Sequence, residues 1–283
     1  MKKIDRKVEW VLNMRIGTIN MQGQPIAQID RMRFQTQLKK ELREIIIDKQ
    51  IKGLINCLDR YSIDVMACQE MNYSYIDKYE VELDKVGYEL LYNKVKYNKP
   101  VFTVVGFIVK KVLKDEIVEN SIFEGIEWTN KYYQIHFNKY ALSLVTVHVN
   151  PKDRESCLSV LDAISGTENI ILIGDFNAAT EAHRGMPARK DVVNENTDFL
   201  KAVSHKGYFE IGKETNYTYI TSNCKNKIDH VFVSECLMDV MEKNTVNIEE
   251  HLVDEVEHSH ENGFTDHNMI WFDIDTKILK KKI

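Results

Sequence analysis

Short, unbroken apolar runs punctuate this chain, and most of them stop at a carboxylate, an amide or an imidazole. The run IILIG at Ile170–Gly174 contains no polar residue, so a strand built from it has no wet face and must be covered on both sides. Comparable β-branched runs stand at Arg15–Asn20, Ile63–Cys68, Thr103–Val109, Ala141–Val147, Asn169–Ile173, Ile228–Val233 and Met269–Ile274. Helical patterns lie between them. Leu38, Leu42, Ile45 and Ile46 follow i, i+4, i+7, i+8 spacing, and Cys157, Leu158, Leu161 and Ile164 form a similar stripe after Pro151, so each set is read as the apolar face of a helix. Helices alternating with doubly buried strands predict an α/β protein with covered sheets. The tyrosine-rich stretch from Tyr73 to Tyr140 reads as hairpins and meanders, which makes the sheets mixed.

Length permits one large domain with a substantial core, and no repeat, low-complexity linker or cluster of the 4 prolines and 12 glycines divides the 283 residues. The expected organisation is a short extension over 1–13, a single domain over 14–276 and a basic tail over 277–283. A net charge of -5 and a pI near 6.0 argue against a basic surface built to coat nucleic acid. They leave room for a nuclease, because a local cluster and a bound metal hold phosphate inside an acidic protein. Cys57, Cys68, Cys157, Cys224 and Cys236 are odd in number and follow no metal-ligand spacing, so they read as reduced thiols. Asp5, Lys7 and Glu9 interrupt the run a signal peptide needs, and no stretch approaches the roughly 20 apolar residues of a membrane span. The expectation is a cytoplasmic protein without a membrane partner; nothing specifies an oligomeric state.

The strand ends carry the chemistry. Asn20 closes IGTIN, Glu70 closes IDVMACQE, His148 closes LSLVTVH, and Asp175 and Asn177 close IILIGDFN. Asp229 opens IDHVFV, and Asp266-His267 precede NMIWFDI. If these ends gather at one edge of the core, the polar groups converge on a cleft. Each residue has a plainer reading. GDFN also suits a turn, with Gly174 at positive φ and Asp175 accepting from the backbone two residues on, and a lone histidine more often serves packing than catalysis.

In order, N…QE…H…GDFN…IDH…TDH resembles the endonuclease/exonuclease/phosphatase superfamily, which includes deoxyribonuclease-I-like nucleases, abasic-site endonucleases, sphingomyelinases and inositol-polyphosphate phosphatases. The resemblance runs from Arg15 to Ile274. It implies a four-layer α/β sandwich of two mixed sheets flanked by helices, and a hydrolase of phosphoric esters that uses Mg²⁺ or Mn²⁺. By that match Glu70 is a metal ligand, Asn20 holds the metal or a phosphate oxygen, and Asp266 is a metal ligand or supports one. Asp175 orients or deprotonates the attacking water, Asn177 donates to the developing phosphorane, and His267 faces the scissile phosphate with Asp229 fixing its tautomer. His148 is the candidate general acid.

Asn150, in HVNP, is read either as a phosphate contact or as a turn residue before Pro151. The loop AHRGMPARKD at Ala182–Asp191 puts Arg184, Arg189 and Lys190 after GDFN, where they either grip a nucleic-acid backbone or belong to a solvated loop. Asn226-Lys227-Ile228-Asp229 stands where inositol phosphatases of the superfamily carry Trp-Cys-Asp-Arg, and Lys227 resembles the Arg/Lys-Ile-Asp of the nucleases. The leading expectation is therefore a nuclease with nucleic acid as substrate. The alternatives are a phosphatase or phosphodiesterase acting on a small nucleotide, inositol phosphate or lipid headgroup, and a non-catalytic binding module. Arg31, Arg33, Lys39, Lys40 and Arg43 read as the wet side of the first helix. His251, His258 and His260, in an acidic segment, read as a solvated loop in preference to a second metal site.

Overall fold

The structure, a computed structural model, describes residues 13–22, 36–94, 101–119, 130–164, 169–179, 190–212, 217–220, 225–241, 246–249 and 264–280. In chain order the strands and helices are β1 (Asn13–Asn20), α1 (Thr36–Arg60), β2 (Val65–Asn72), α2 (Ile76–Lys85), β3 (Tyr88–Tyr92), β4 (Thr103–Lys110), β5 (Ile117–Glu119), β6 (Tyr132–Phe137) and β7 (Leu142–His148). There follow α3 (Arg154–Ile164), β8 (Asn169–Asp175), α4 (Lys190–His205), β9 (Tyr208–Ile211), β10 (Tyr219–Ile220), β11 (Lys225–Asn226), β12 (Asp229–Ser234), α5 (Glu235–Met241), β13 (Asn247–Glu249), β14 (Met269–Asp275) and α6 (Thr276–Lys280). Two six-stranded sheets form, ordered β13-β14-β1-β2-β4-β3 and β5-β6-β7-β8-β12-β9, with β10 and β11 as a separate ribbon. Each large sheet has one parallel pair at its centre, β1 with β2 and β7 with β8, and antiparallel pairs elsewhere.

The apolar runs are continuous because successive residues face different cores. In β2, Val65 and Ala67 point between the sheets, while Met66 and Cys68 point to α1 and α2. In β8, Ile171 and Ile173 point between the sheets, while Ile170 and Leu172 pack with α3 and α4 residues such as Leu161 and Val203. The order is thus helix, sheet, sheet, helix, the four-layer architecture expected. A buried polar bridge crosses the central layer: the Gln69 amide nitrogen donates to Thr18 Oγ1 at 3.1 Å within one sheet and to Thr146 Oγ1 at 2.9 Å in the other. Glycine permits the closest approach beside it. Gly174, at φ 142°, sits in β8 where a Cβ would meet the Val147 carbonyl oxygen at 2.2 Å.

Some expectations need correction. The buried stripe of α1 is Ile47, Ile51, Leu54 and Leu58, whereas Leu38 and Ile45 are exposed. At 100° per residue Ile47 stands on the side of the helix opposite Leu38. α1 carries apolar residues on two sides, and its partner sheet decides which is buried. Within the tyrosine-rich stretch, residues 76–85 form α2, since Ile76, Tyr79 and Leu83 share one side and are buried. The boundary expected at 276 falls at the start of α6, where Lys277 is exposed and Leu279 is buried in the inter-sheet core. None of the four described cysteines, Cys57, Cys68, Cys157 and Cys236, is in a disulfide.

Candidate active site

A cleft of about 330 Å³ opens at one end of the sandwich, where the parallel pairs of both sheets terminate. Asn20, Glu70, Asp175, Asn177, Asp266 and His267 line it. Asp175 is the centre. Its register neighbours are His148 in β7 and Asp229 in β12, so sheet pairing alone brings these three together from three strands. From the other sheet, the Asn20 amide nitrogen donates to Asp175 Oδ2 at 2.9 Å. The backbone N–H of Asn177 donates to Asp175 Oδ1 at 2.7 Å, so the turn reading of GDFN holds alongside the convergence on the cleft.

Glu70 does not close its strand. It lies within β2 at a bulge between Cys68 and Met71, at φ 52°. A non-glycine residue there costs on the order of 1–3 kcal/mol, and such residues concentrate at functional sites. The bulge re-aims the Glu70 side chain toward β7, where Glu70 Oε1 lies 3.1 Å from His148 Nε2, with Asp175 Oδ2 at 3.9 Å from the same nitrogen. On the opposite side of Asp175, His267 Nδ1 lies 2.8 Å from Asp229 Oδ2. His267 Nε2 stands 3.7 Å from Asp266 Oδ1, and Asp266 Oδ2 accepts from the Gln22 amide at 2.6 Å. Thr265 fastens this corner by donating to the Asn20 carbonyl at 2.6 Å and accepting from the His267 N–H at 3.1 Å.

Four carboxylates share this small volume, and three of them, Glu70, Asp175 and Asp266, are shifted. Burial pushes Asp175 up, and the Asp229 charge adds to it, to about 6, against the pull of His267 and the His148 ring. Asp266 is likewise pushed up to about 6, chiefly by burial, with Glu70 and Asp229 adding and His267 opposing. Burial acts the same way on Glu70, but the hydrogen bond from His148 and the nearby His267 and Lys131 hold it at about 2. For His267 burial disfavours the charged ring, and the surrounding Asp229, Asp175 and Asp266 more than compensate, raising it to about 10. These carboxylates favour the charged ring, with Nδ1 held against Asp229.

Two groups of side chains offer ligand atoms all within 4.8 Å of one another: Glu70 with His148 and Asp175, and Asp175 with Asp229 and His267. Among the described residues, Asp229 Oδ1 and Asp266 Oδ1 are buried without a hydrogen-bond partner. Unsatisfied anionic oxygens beside two carboxyls pushed toward neutrality are the surroundings a hard divalent cation compensates. The donor set fits such an ion. Asn20, placed by sequence at the metal or a phosphate oxygen, uses its carboxamide on Asp175 and on the Gln22 N–H.

No protein-family model and no curated protein matches the chain. Solved structures do. The endonuclease domain of TRAS1, a telomere-specific non-LTR retrotransposon, superposes with a TM-score of 0.60 at 15% identity, over 92% of this chain and 98% of that one. An AP endonuclease from Archaeoglobus fulgidus gives 0.59 at 12% identity, over 93% and 99%. The 3'-5' exonuclease NExo from Neisseria meningitidis gives 0.60 at 14% identity, over 93% and 100%. The chain has the endonuclease/exonuclease/phosphatase fold.

Within that fold, other predicted residues lie apart from the cleft lining. Asn150 is exposed and its side-chain oxygen accepts from the Lys152 N–H at 3.1 Å, capping the turn at Pro151–Asp153. Lys227 donates to Glu210 Oε1 at 2.7 Å and to the Gly212 carbonyl at 2.8 Å, away from Asp175. Arg184, Arg189, Arg31, Arg33, Cys224 and the three histidines of 251–260 lie outside the described residues, as does the side chain of Lys190. The fold also brings in residues that sequence reading passed over. Gln22, Asn196, Tyr219 and Asn226 line the cleft, the Tyr219 ring lying 5.0 Å from that of His267. Thr218 Oγ1 accepts from the N–H groups of Ile228 and Asp229, both at 3.0 Å, and fixes the start of β12. Lys131 reaches His148 Nδ1 at 3.0 Å. Only Thr265 carried a sequence signal, as the first residue of the TDH triplet.

Proposed function

We propose that this chain is a divalent-metal-dependent phosphodiesterase that hydrolyses nucleic acid. One observation carries the reading: the Glu70–His148 and Asp229–His267 pairs flank Asp175, and Glu70, Asp175 and His267 line a single cleft drawn from both sheets. Glu70 and Asp266 are the residues to hold Mg²⁺ or Mn²⁺, with Asn20 beside them. When bound, such an ion neutralises phosphate charge as a Lewis acid. Asp175, oriented by Asn20 and poised near 6, takes a proton from the attacking water, a contribution of roughly 10²–10⁴-fold. The water oxygen bonds to phosphorus in line with the leaving oxygen, whose bond breaks. Charge developing on the equatorial oxygens meets the His267 imidazolium and the Asn177 carboxamide. Asp229 keeps His267 oriented, and His148 supplies a proton to the leaving oxygen.

Nucleic acid is favoured over a small ester by the company the fold keeps. The Neisseria protein has also been solved as a 3' phosphatase bound to a product DNA hairpin, with a TM-score of 0.61 at 14% identity. The test is purified protein offered plasmid, single-stranded DNA, RNA, a bis-aryl phosphodiester and a phosphomonoester with Mg²⁺ or Mn²⁺. Cleavage of nucleic acid, stopped by EDTA and lost in Asp175→Ala and His267→Ala, is expected. Turnover that survives chelation or both substitutions overturns the mechanism, and rapid cleavage of the monoester alone moves the protein to the phosphatases.

A further inference from the structure

Beyond Asp175 the chain turns out of β8 and still holds Asn177 at the cleft. Phe176 is fully buried, and its N–H donates to the Ile228 carbonyl at 3.0 Å. Asn177 then adopts φ 47°, in the left-handed region that asparagine enters more readily than most residues. Its own N–H is held by Asp175, and the two carbonyls that follow it are held from behind. Along β12, Val231 faces the inter-sheet core, while His230 lies on the other face with Phe232. There the His230 ring meets Phe176 edge-on, with centroids 5.8 Å apart, and its Nε2 lies 2.8 Å from the Ala178 carbonyl oxygen. A carbonyl oxygen only accepts, so Nε2–H is the donor. From α4, Asn196 Nδ2 donates to the Ala179 carbonyl at 2.9 Å. Both side chains are buried.

Each anchor is itself tied down. Glu210 Oε1 in β9 lies 2.7 Å from His230 Nδ1 and accepts from Lys227 Nζ at 2.7 Å, and Lys227 also reaches the Gly212 carbonyl. Asn196 Oδ1 accepts from the Arg154 guanidinium of α3, which lies 5.2 Å from the centre of the Phe199 ring. A flipped Asn196 amide would set its oxygen against the Ala179 oxygen and its NH₂ against the guanidinium, so the Arg154 contact fixes which end donates. We infer that His230 and Asn196 are positioning residues that clamp the carbonyls of Ala178 and Ala179, and so hold Asn177 in the turn that presents its carboxamide to the cleft. The clamp stands on geometry; its effect on turnover rests on the phosphodiesterase reading. A donor fixed in advance needs no reorganisation as charge develops on phosphate, and a misplacement of about 1 Å costs on the order of 10²-fold.

The hydrogen-exchange rate of the Asn177 amide in ¹⁵N-labelled, metal-free protein tests the clamp without calling on catalysis. Asn196→Asp keeps the shape and the Arg154 contact and removes the donor to Ala179. His230→Phe keeps a ring against Phe176 and removes the donor to Ala178. Each should speed Asn177 exchange on the order of 10-fold while Ile173 and Val231 keep their wild-type rates. His230→Gln, which still carries a donor, should stay closer to wild type. An unchanged Asn177 rate overturns the inference, and so does a rise shared equally by Ile173 and Val231, the mark of general supports of the fold. If His230→Phe does not fold, Asn196→Asp and His230→Gln decide. On a phosphodiester with Mg²⁺, Asn196→Asp and His230→Phe should each lower kcat on the order of 10- to 100-fold with KM little changed. In an Asn177→Ala background they should cost little further, because the side chain they act through is gone. Equal losses in both backgrounds overturn the assignment to Asn177. If wild type hydrolyses no phosphodiester while exchange behaves as expected, the enzymatic reading falls and the clamp stands; normal hydrolysis with unchanged exchange does the reverse.

Discussion

Asp175 shows what burying one carboxyl among others does to the fold around it. Its carboxyl is raised from 3.8 to about 6, so the native state binds a proton more tightly than the unfolded chain does. The stabilisation attached to that proton is complete below about pH 3.8 and is lost as pH rises through about 6. In the presence of EDTA, wild type should therefore lose more stability between these limits than Asp175→Asn, by on the order of 2 kcal/mol. Urea midpoints at several pH values measure the difference, and parallel profiles for the two proteins refute it. Adding Mg²⁺ at the high-pH end should restore wild type preferentially. At this scale the sequence was most legible. Asn20, Glu70, His148, Asp175, Asn177, Asp229, Asp266 and His267 stood out because polar residues recurring at the edges of apolar runs are conspicuous together, although Glu70 proved to lie at a bulge inside its strand. Lys131, Gln22 and Asn196 had no such signal: each enters the site through strand pairing or loop return, which spacing along a chain does not encode.

At the scale of elements, existence was legible and orientation was not. All seven apolar runs became strands, yet the side of α1 that is buried was misread because its apolar residues occupy two sides. Leu54, fully buried against β2, should cost about 2–5 kcal/mol when cut to alanine. Ile45, at 63% exposure, should stay within about 0.5 kcal/mol for the same change. Denaturant midpoints of the two variants check this, and equal losses would restore the first reading of the helix. α1 also serves the site at a distance. Gly53 leaves room for Phe264, whose ring atom lies 2.2 Å from where a Cβ would stand, and Phe264 precedes Thr265, Asp266 and His267. The bulge at Glu70 was equally invisible, since a strand with one residue too many reads like any other apolar run.

The whole molecule explains why the resemblance survives at 12–15% identity to the solved structures compared above. The sandwich is set by where apolar residues alternate between cores, a pattern many sequences satisfy, while the cleft needs only a few side chains at strand ends. The two walls of that cleft belong to different sheets: Asn20 and Glu70 to one, Asp175, with His148 and Asp229 as its strand neighbours, to the other. Their relative placement depends on the central packing layer and on the Gln69 bridge to Thr146. Heating should therefore extinguish turnover before it removes helical circular dichroism, and Gln69→Ala should widen the interval between the two midpoints. Coincident midpoints in both proteins would show that the sheets do not slip ahead of unfolding. A cleft assembled across such a seam works as a strain gauge for the domain: it reports the alignment of the two halves long before either half has come apart.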